Sequence, residues 1–569
     1  MKLFFLSSLK RLFSTISSSG DSGKHALGFL NATQFLGVIN DNLFKFSMAF
    51  LLIDTLGHDQ ASKILSATGA IYVIPFLLFS SSAGILADRF SKQKLLVVMK
   101  SVEIVVMVLA VGAFATKSVW GCYTLLFILS THSAMFGPSK YGIIPELVPK
   151  DKVSRANGLI TSFTYLAIII GTFLAAFLTE VTNRHFVFIA LFCLVVAVGG
   201  FFSSLGVKKT AAQGSKKKIN IFFVREIYQT LKNCRSHLHL LPAILGSSYF
   251  LFIGAFTQLN IIPFAMESLN LSEVAGGYLF LATSLGIALG SYLAGKASRK
   301  RVELGLSCLA GLGIGLFFIF LDVFASHLPG VIICLIAIGV LGGTFIVPFD
   351  TFIQLSSDNA KRGQTIAAAN FLSFSGVLVA SFALYLFNQI FDLSSSTGFT
   401  VIGFATLLLS LALIALLSDL SLPFFSRKIL FPILRCASSK TETLAKTQNA
   451  ILILEKFSWK KALLLAGTIP NVHFILPENS KKRHWFLRFF YSFHIVHPEK
   501  NASDYLSYAK TLLDRQTVPC LLIDQTIAPV PQEKSKQFQL FKGPETKVAF
   551  AHLIRDPRTG RSSFDFIPK

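Results

Sequence analysis

Between two long apolar runs the chain reads Gly84-Ile85-Leu86-Ala87-Asp88-Arg89-Phe90-Ser91-Lys92-Gln93-Lys94. A glycine leads an acid, an arginine and two lysines, and the apolar pattern then resumes at once. So short a charged break between such runs is a loop joining two membrane spans, because ~20 apolar residues cross a ~30 Å hydrocarbon core. Counting outward from it, apolar segments fall at about 27–52, 64–86, 95–116, 120–137, 156–179, 186–206, 241–265, 275–295, 303–325, 329–349, 364–390 and 397–420. These predict twelve membrane helices, six on each side of a polar stretch at 207–240.

Composition agrees with that reading. Of 569 residues, 53% are apolar, 14% are charged and 57 are Phe. A soluble domain carries about a quarter charged residues, so a disordered chain, a disulfide scaffold and an ordinary soluble enzyme are excluded for the greater part of the chain. Residues 1–423 hold 30 basic and 18 acidic residues, whereas 424–569 hold 23 and 11. The predicted organisation is an N-terminal segment (1–26), a six-helix bundle (27–206), a central loop (207–240), a second six-helix bundle (241–423) and a basic appended domain (424–569). Loops that follow even-numbered spans carry 22 Lys and Arg, those that follow odd-numbered spans three: Lys63, Lys117 and Arg184. By the positive-inside rule this puts both termini, the central loop and the appended domain in the cytoplasm. The first residues, Met1 to Leu6, form too short an apolar run for a secretory signal. Seven scattered cysteines without CxxC or zinc spacing predict no metal site, no cofactor is expected, and the absence of GxxxxGK[ST] argues against ATP-driven pumping.

The halves echo one another. Ala87-Asp88-Arg89 follows span two and Ala294-Gly295-Lys296 follows span eight; Pro138 to Asn157 follows span four and Pro348 to Asn370 follows span ten. Repeated six-helix halves suit a transporter that rocks two bundles about a central site. The loop from Gly84 to Lys94 resembles the signature loop of the major facilitator superfamily. That resemblance implies that Gly84 permits close helix approach and that Asp88 and Arg89 belong to a conformational latch. A solvated loop obeying the charge rule would account for Lys92 and Lys94 equally well.

Span one is unusually polar, with Asn31, Gln34, Asn40, Asp41, Asn42 and Lys45 in a single helix. An ionised residue near the bilayer centre costs at least ~2.5–3.5 kcal/mol, so such residues face a partner or a wet cavity. Asp41 and Lys45, four apart, can pair across a turn; they line a substrate path or lock helices together. Glu103 and His132 are further candidates. Gln34-Phe35-Leu36-Gly37 with Asn40-Asp41-Asn42-Leu43 and Lys45 resembles the first helix of the bacterial lysophospholipid transporter family. The run from Phe136 through Pro138, Lys140, Tyr141 and Glu146 to Leu147, then Arg155 and Asn157, is similar to a further motif of that family, and Pro348, Gln354, Gly363 and Asn370 to its second-half counterpart. The resemblance implies a twelve-helix major facilitator fold that flips lysophospholipids, chiefly lysophosphatidylethanolamine, from the outer to the inner leaflet of a bacterial inner membrane for reacylation. The residues alone also allow a transporter of another small molecule.

Relatives of that family carry a fused glycerolipid acyltransferase, and residues 451–530 resemble a degenerate one of α/β fold. Glu455 to Ala466 is similar to the block that holds a catalytic His and Asp, but Lys456 and Lys461 occupy those positions; Asp524 falls within a further altered motif. Acyl transfer needs a base with a pKa near 7, whereas an unperturbed lysine has about 10.4. The domain is therefore expected to be catalytically dead. It would dock on anionic lipid or recruit a separate acyltransferase or acyl-carrier-protein synthetase, and no nucleic acid is expected as a partner; a bifunctional transporter with an active tail is the alternative.

Overall fold

The computed structural model describes residues 22–57, 60–217, 223–271, 273–298 and 302–425, together with six strands beyond them. Among the described residues, twelve helices are long and apolar enough to cross a membrane: α1 (Ser22–Leu56), α2 (Ala61–Arg89), α3 (Lys92–Ala115), α4 (Val119–Gly142), α5 (Val153–Val181), α6 (Phe186–Leu205), α7 (Leu240–Leu269), α8 (Glu273–Ala297), α9 (Leu304–Val323), α10 (Leu328–Ser356), α11 (Arg362–Tyr385) and α12 (Ser395–Leu416). Prolines lie inside four of them, Pro75, Pro138, Pro263 and Pro348. Membrane helices tolerate this because neighbouring helices satisfy the freed backbone groups.

Phenylalanine fills both halves. In the first, Phe44 stacks on Phe114 at 5.6 Å within a cluster that includes Met48, Leu126 and Ile189. In the second, Phe256, Phe264 and Phe318 surround Phe399 at 5.5–5.9 Å. Glycine sets the closest approach: Gly286 and Gly290 of α8 face Gly339 and Gly343 of α10, where a Cβ on any of the four would strike the opposite backbone. Two helices can approach this closely only where small residues recur four apart.

A 12-residue helix (Phe223–Cys234) lies in the central segment. Beyond the body, six strands form one sheet in the order β3-β2-β4-β1-β5-β6: β1 (Ala450–Leu454), β2 (Val472–Pro477), β3 (Phe493–Val496), β4 (Cys520–Asp524), β5 (Lys547–Arg555) and β6 (Ser562–Pro568). All neighbours pair in parallel except β5 and β6. Asp524 ends β4. Lys456 and Lys461 lie outside the described residues, as does the start of the chain.

Candidate functional site: a closed helix gate and a charged interior

The first and second halves meet at the end of the body that carries Arg89 and Lys92. Helix α11 starts at Arg362, and its capping residue, Lys361, makes no side-chain cap bond. The first amides of a helix have no partner within it, and here the partner comes from the other half. Asp88 Oδ1 accepts from the Gly363 amide at 2.6 Å, and Oδ2 from the Gln364 amide at 3.0 Å and from Gln364 Nε2 at 3.1 Å. A carboxylate at a helix N-terminus also meets the positive end of the helix dipole. Gly84 makes the approach possible, since a Cβ there would sit 2.6 Å from Ala367 Cβ and 2.8 Å from Gln364 Cα.

The central segment straps this contact. The Ser215 amide donates to the Asp88 carbonyl at 3.1 Å, and Arg89 donates to the Lys217 carbonyl. Lys217 Nζ in turn donates to Gln364 Oε1 at 2.9 Å and pairs with Glu226. A second, symmetry-like contact joins α5 to α8 and α10. Asn157 and Gln354 exchange amide hydrogen bonds at 3.1 and 2.9 Å, Asn157 also donates to Thr351 Oγ1 at 3.1 Å, and Gly158 packs on Gly295. The echoed positions after spans two and eight thus become two gates, Gly84 with Gly363 and Gly295 with Gly158. Lys92 pairs with Glu146 at 2.7 Å beside them, and Arg362 Nε donates to the Gln354 carbonyl at 2.8 Å. At the opposite end, the ion pair Arg184–Asp54 and the bonds Asn260–Ser395 and Thr400–Asp322 each stay within one half. The body is closed at its basic end.

Above the gate lie the buried charges. Glu103 of α3 pairs with Lys100 at 2.5 Å, accepts from Asn40 Nδ2 at 2.8 Å and has His132 Nε2 at 3.8 Å. The Lys100 ammonium sits 5.5 Å from the Phe136 ring, and Gly37 and Gly200 leave room for its side chain. Asp41 Oδ2 accepts from Ser133 Oγ at 2.7 Å, while its buried Oδ1 has no partner. Lys45 Nζ donates to Asn42 Oδ1 at 3.2 Å and lies over the rings of Phe46 and Tyr72 at 4.7 and 4.9 Å. Lys140 lies over the Tyr141 ring at 4.5 Å, within electrostatic range of Asp41 and, from the second half, of Asp350. Ser247 Oγ of α7 donates to Asp350 Oδ1 at 2.8 Å.

Several expectations change on contact with this geometry. Asp41 and Lys45 do not close on each other; the acid turns to Ser133 of α4, while the ammonium takes Asn42 of its own helix and the rings of Phe46 and Tyr72. Asn31 and Gln34 are tied to each other and to α5: Gln34 Nε2 donates to Asn31 Oδ1 at 2.9 Å, and Gln34 Oε1 accepts from Thr164 at 2.8 Å. Lys100, counted as a loop cation, lies buried inside α3, and Lys92, Lys140 and Arg362 are likewise buried in helices. Arg155 is exposed, with its backbone against Gly295; Pro138 and Pro348 are buried in their helices, and Asn370 Nδ2 faces Gly137. Asp350 escaped sequence reading because span ten was ended at 349. The signal available was a lone acid between Pro348 and Gln354.

Two six-helix halves that meet at the basic end around a charged interior define a membrane transporter built from two helix bundles. The chain belongs to the Major Facilitator Superfamily, whose model matches residues 30–381. It is similar to the lysophospholipid transporter LplT of Escherichia fergusonii, 27% identical over 395 residues that cover 67% of this chain and 93% of that protein. LplT of an Enterobacter species is also 27% identical, covering 66% of this chain and 90% of the relative. Among solved structures, the human organic anion transporter MFSD10 matches in fold with a TM-score of 0.56 at 13% identity, over 68% of this chain and 99% of that one.

Proposed function

We propose that this chain moves lysophospholipids across the inner membrane of a bacterium, taking lysophosphatidylethanolamine from the outer to the inner leaflet for reacylation. The observation that carries this reading is the likeness to the LplT proteins, which runs through nearly their whole length. The chemistry suits it. A lysolipid keeps its one acyl chain in hydrocarbon while its headgroup needs a polar route. Asp41, with one carboxylate oxygen free, attracts the ammonium; Lys45, Asn42 and Lys140 meet the phosphate and glycerol. Asn40, held by Glu103, backs Asp41 on the same helix. With the basic end in the cytoplasm, the present state is closed on the inner side, the state that would receive lipid from the outer leaflet. Release of Asp88 from α11 and of Asn157 from Gln354 then opens the inner side.

Vesicles that carry the full-length protein and labelled lysophosphatidylethanolamine in one leaflet test this. Protein-dependent movement is expected, and its absence would remove the lysolipid reading. Asp41→Asn is expected to slow movement about tenfold, the worth of one charge-assisted hydrogen bond; an unchanged rate would remove Asp41 from the path.

The appended domain is the remnant of an acyltransferase that lost its base and acid to Lys456 and Lys461, and it serves the membrane surface or a separate acyltransferase. Given an acyl donor and lysolipid, the full-length protein is expected to form no diacyl product. Product formation that Lys456→Ala abolishes would overturn that.

A further inference from the structure

The helix of the central segment, Phe223–Cys234, has an outward side that the gate does not use. Its inward residues recur at helical spacing: Phe223, Glu226, Ile227, Thr230, Leu231 and Cys234, with Ile227 and Cys234 buried and the others partly so. That side packs on α11 and α2. The Phe223 ring lies 6.2 Å from the ring of Phe371, in the third turn of α11, and Glu226 pairs with Lys217, whose ammonium reaches Gln364. Soon after Cys234 the chain enters α7 at Leu240. The helix is thus held beside the first turns of membrane helices, at the level where bilayer meets water. Its outward side is of a different kind. Val224 and Tyr228, one turn apart, are 58% and 65% exposed, and Arg225, Lys232 and Arg235 are exposed around them. From Val207 to His239 the sequence has eight Lys and Arg against one acid, and that acid, Glu226, is turned inward to Lys217. A face turned only to water gains nothing from an apolar pair set among cations. A bilayer surface uses both: tyrosine sits at headgroup level, the stems of Lys and Arg lie along apolar surface, and their charges meet anionic lipid.

We propose that the outward face of Phe223–Cys234, with Arg235, docks on anionic phospholipid in the leaflet at the basic end, and that this anchor holds the strap on the closed gate. Val224 and Tyr228 enter the headgroup layer, while Arg225, Lys232 and Arg235 meet lipid phosphates. The inward face carries the effect to the gate through Glu226 and Lys217 to Gln364, the residue whose amide Asp88 accepts from. This holds whatever molecule the interior transports.

The test places a nitroxide at Tyr228→Cys in full-length protein without its native cysteines, in nanodiscs that mix phosphatidylcholine with phosphatidylglycerol. Collision with oxygen, which concentrates in lipid, and with a nickel chelate, which stays in water, reads the surroundings of the label. Oxygen access is expected to rise and nickel access to fall as phosphatidylglycerol is added, and high salt to reverse the change. Lys232→Gln is expected to raise the phosphatidylglycerol fraction at half-change about fivefold, and the triple change Arg225→Gln, Lys232→Gln and Arg235→Gln to abolish the response. Lys117→Gln, at the opposite end, is expected to leave it as it was. Full nickel access at every lipid composition would make the face a solvated one. Shielding from both reagents in phosphatidylcholine alone would mean that protein covers it, and a response that survives the triple change would place the lipid elsewhere; each overturns the docking. Spin-label distances between α2 and α11 read the gate: the triple variant with phosphatidylglycerol is expected to match the unsubstituted chain in phosphatidylcholine alone, both with a larger open population. Equal populations in every case would overturn the anchoring of the gate.

Discussion

Lys100 and Glu103 of the first half are each essentially without solvent access and joined at 2.5 Å. Removing one member of a buried pair leaves an uncompensated charge and costs about 3–5 kcal/mol, whereas replacing both with apolar residues is close to neutral. Lys100→Met alone is therefore expected to lower the thermal midpoint in detergent sharply, and Lys100→Met with Glu103→Met to recover most of the loss. Failure of the double variant to recover would mean that Asn40, which donates to Glu103, is what holds α1 to α3. Glu103 was legible as a buried acid from its place in an apolar run. Lys100 was not, because its neighbours Lys92 and Lys94 made it look like one more loop cation. The three-residue spacing to Glu103, one helical turn, was the available clue.

At the scale of the element, the decisive object is the start of α11. Three other helices take a side-chain cap from their own N-terminus: Ser91 accepts from Lys94 in α3, Ser118 from Gly121 in α4 and His327 from Gly330 in α10. The first amides of α11 instead meet Asp88 of the other half, and we propose that this cap is lost when the gate opens. A charged group in this position contributes about 1 kcal/mol, so Asp88→Asn is expected to shift the closed-to-open ratio about fivefold toward open. Spin-label distances between α2 and α11 at the basic end would read this as a growing long-distance population, and no change would deny the latch. Gly84→Ala should act in the same direction, because its Cβ meets backbone of α11. Lys217→Ala should add to it by removing the strap to Gln364. Gly84, Asp88 and Arg89 were legible as a motif; that the Asp88 carboxylate meets the first amides of α11 was not, since nothing local marks α11 as uncapped by its own residues.

For the whole molecule, the alternation of basic loops predicts sidedness. Single cysteines at Lys117 or Arg184, in a background without the native cysteines, are expected to react with an impermeant maleimide added outside intact cells. One at Lys209 should react only after permeabilisation. The reverse pattern would invert the proposed direction of lipid movement, because the closed end would then face outward. The span count, the halves and the polar first helix were all present in the sequence by itself. Apolar run length and charge bias are read one segment at a time and need no knowledge of which helix lies beside which. Tertiary structure alone decided which charges meet. Asp88 reaches an amide 275 residues away, Lys100 turns inward to Glu103, Asp41 leaves Lys45 for Ser133, and Asp350 comes within electrostatic range of Lys140. Burying a charge is tolerable only with a partner, and the partner is chosen by packing between helices rather than by order along the chain.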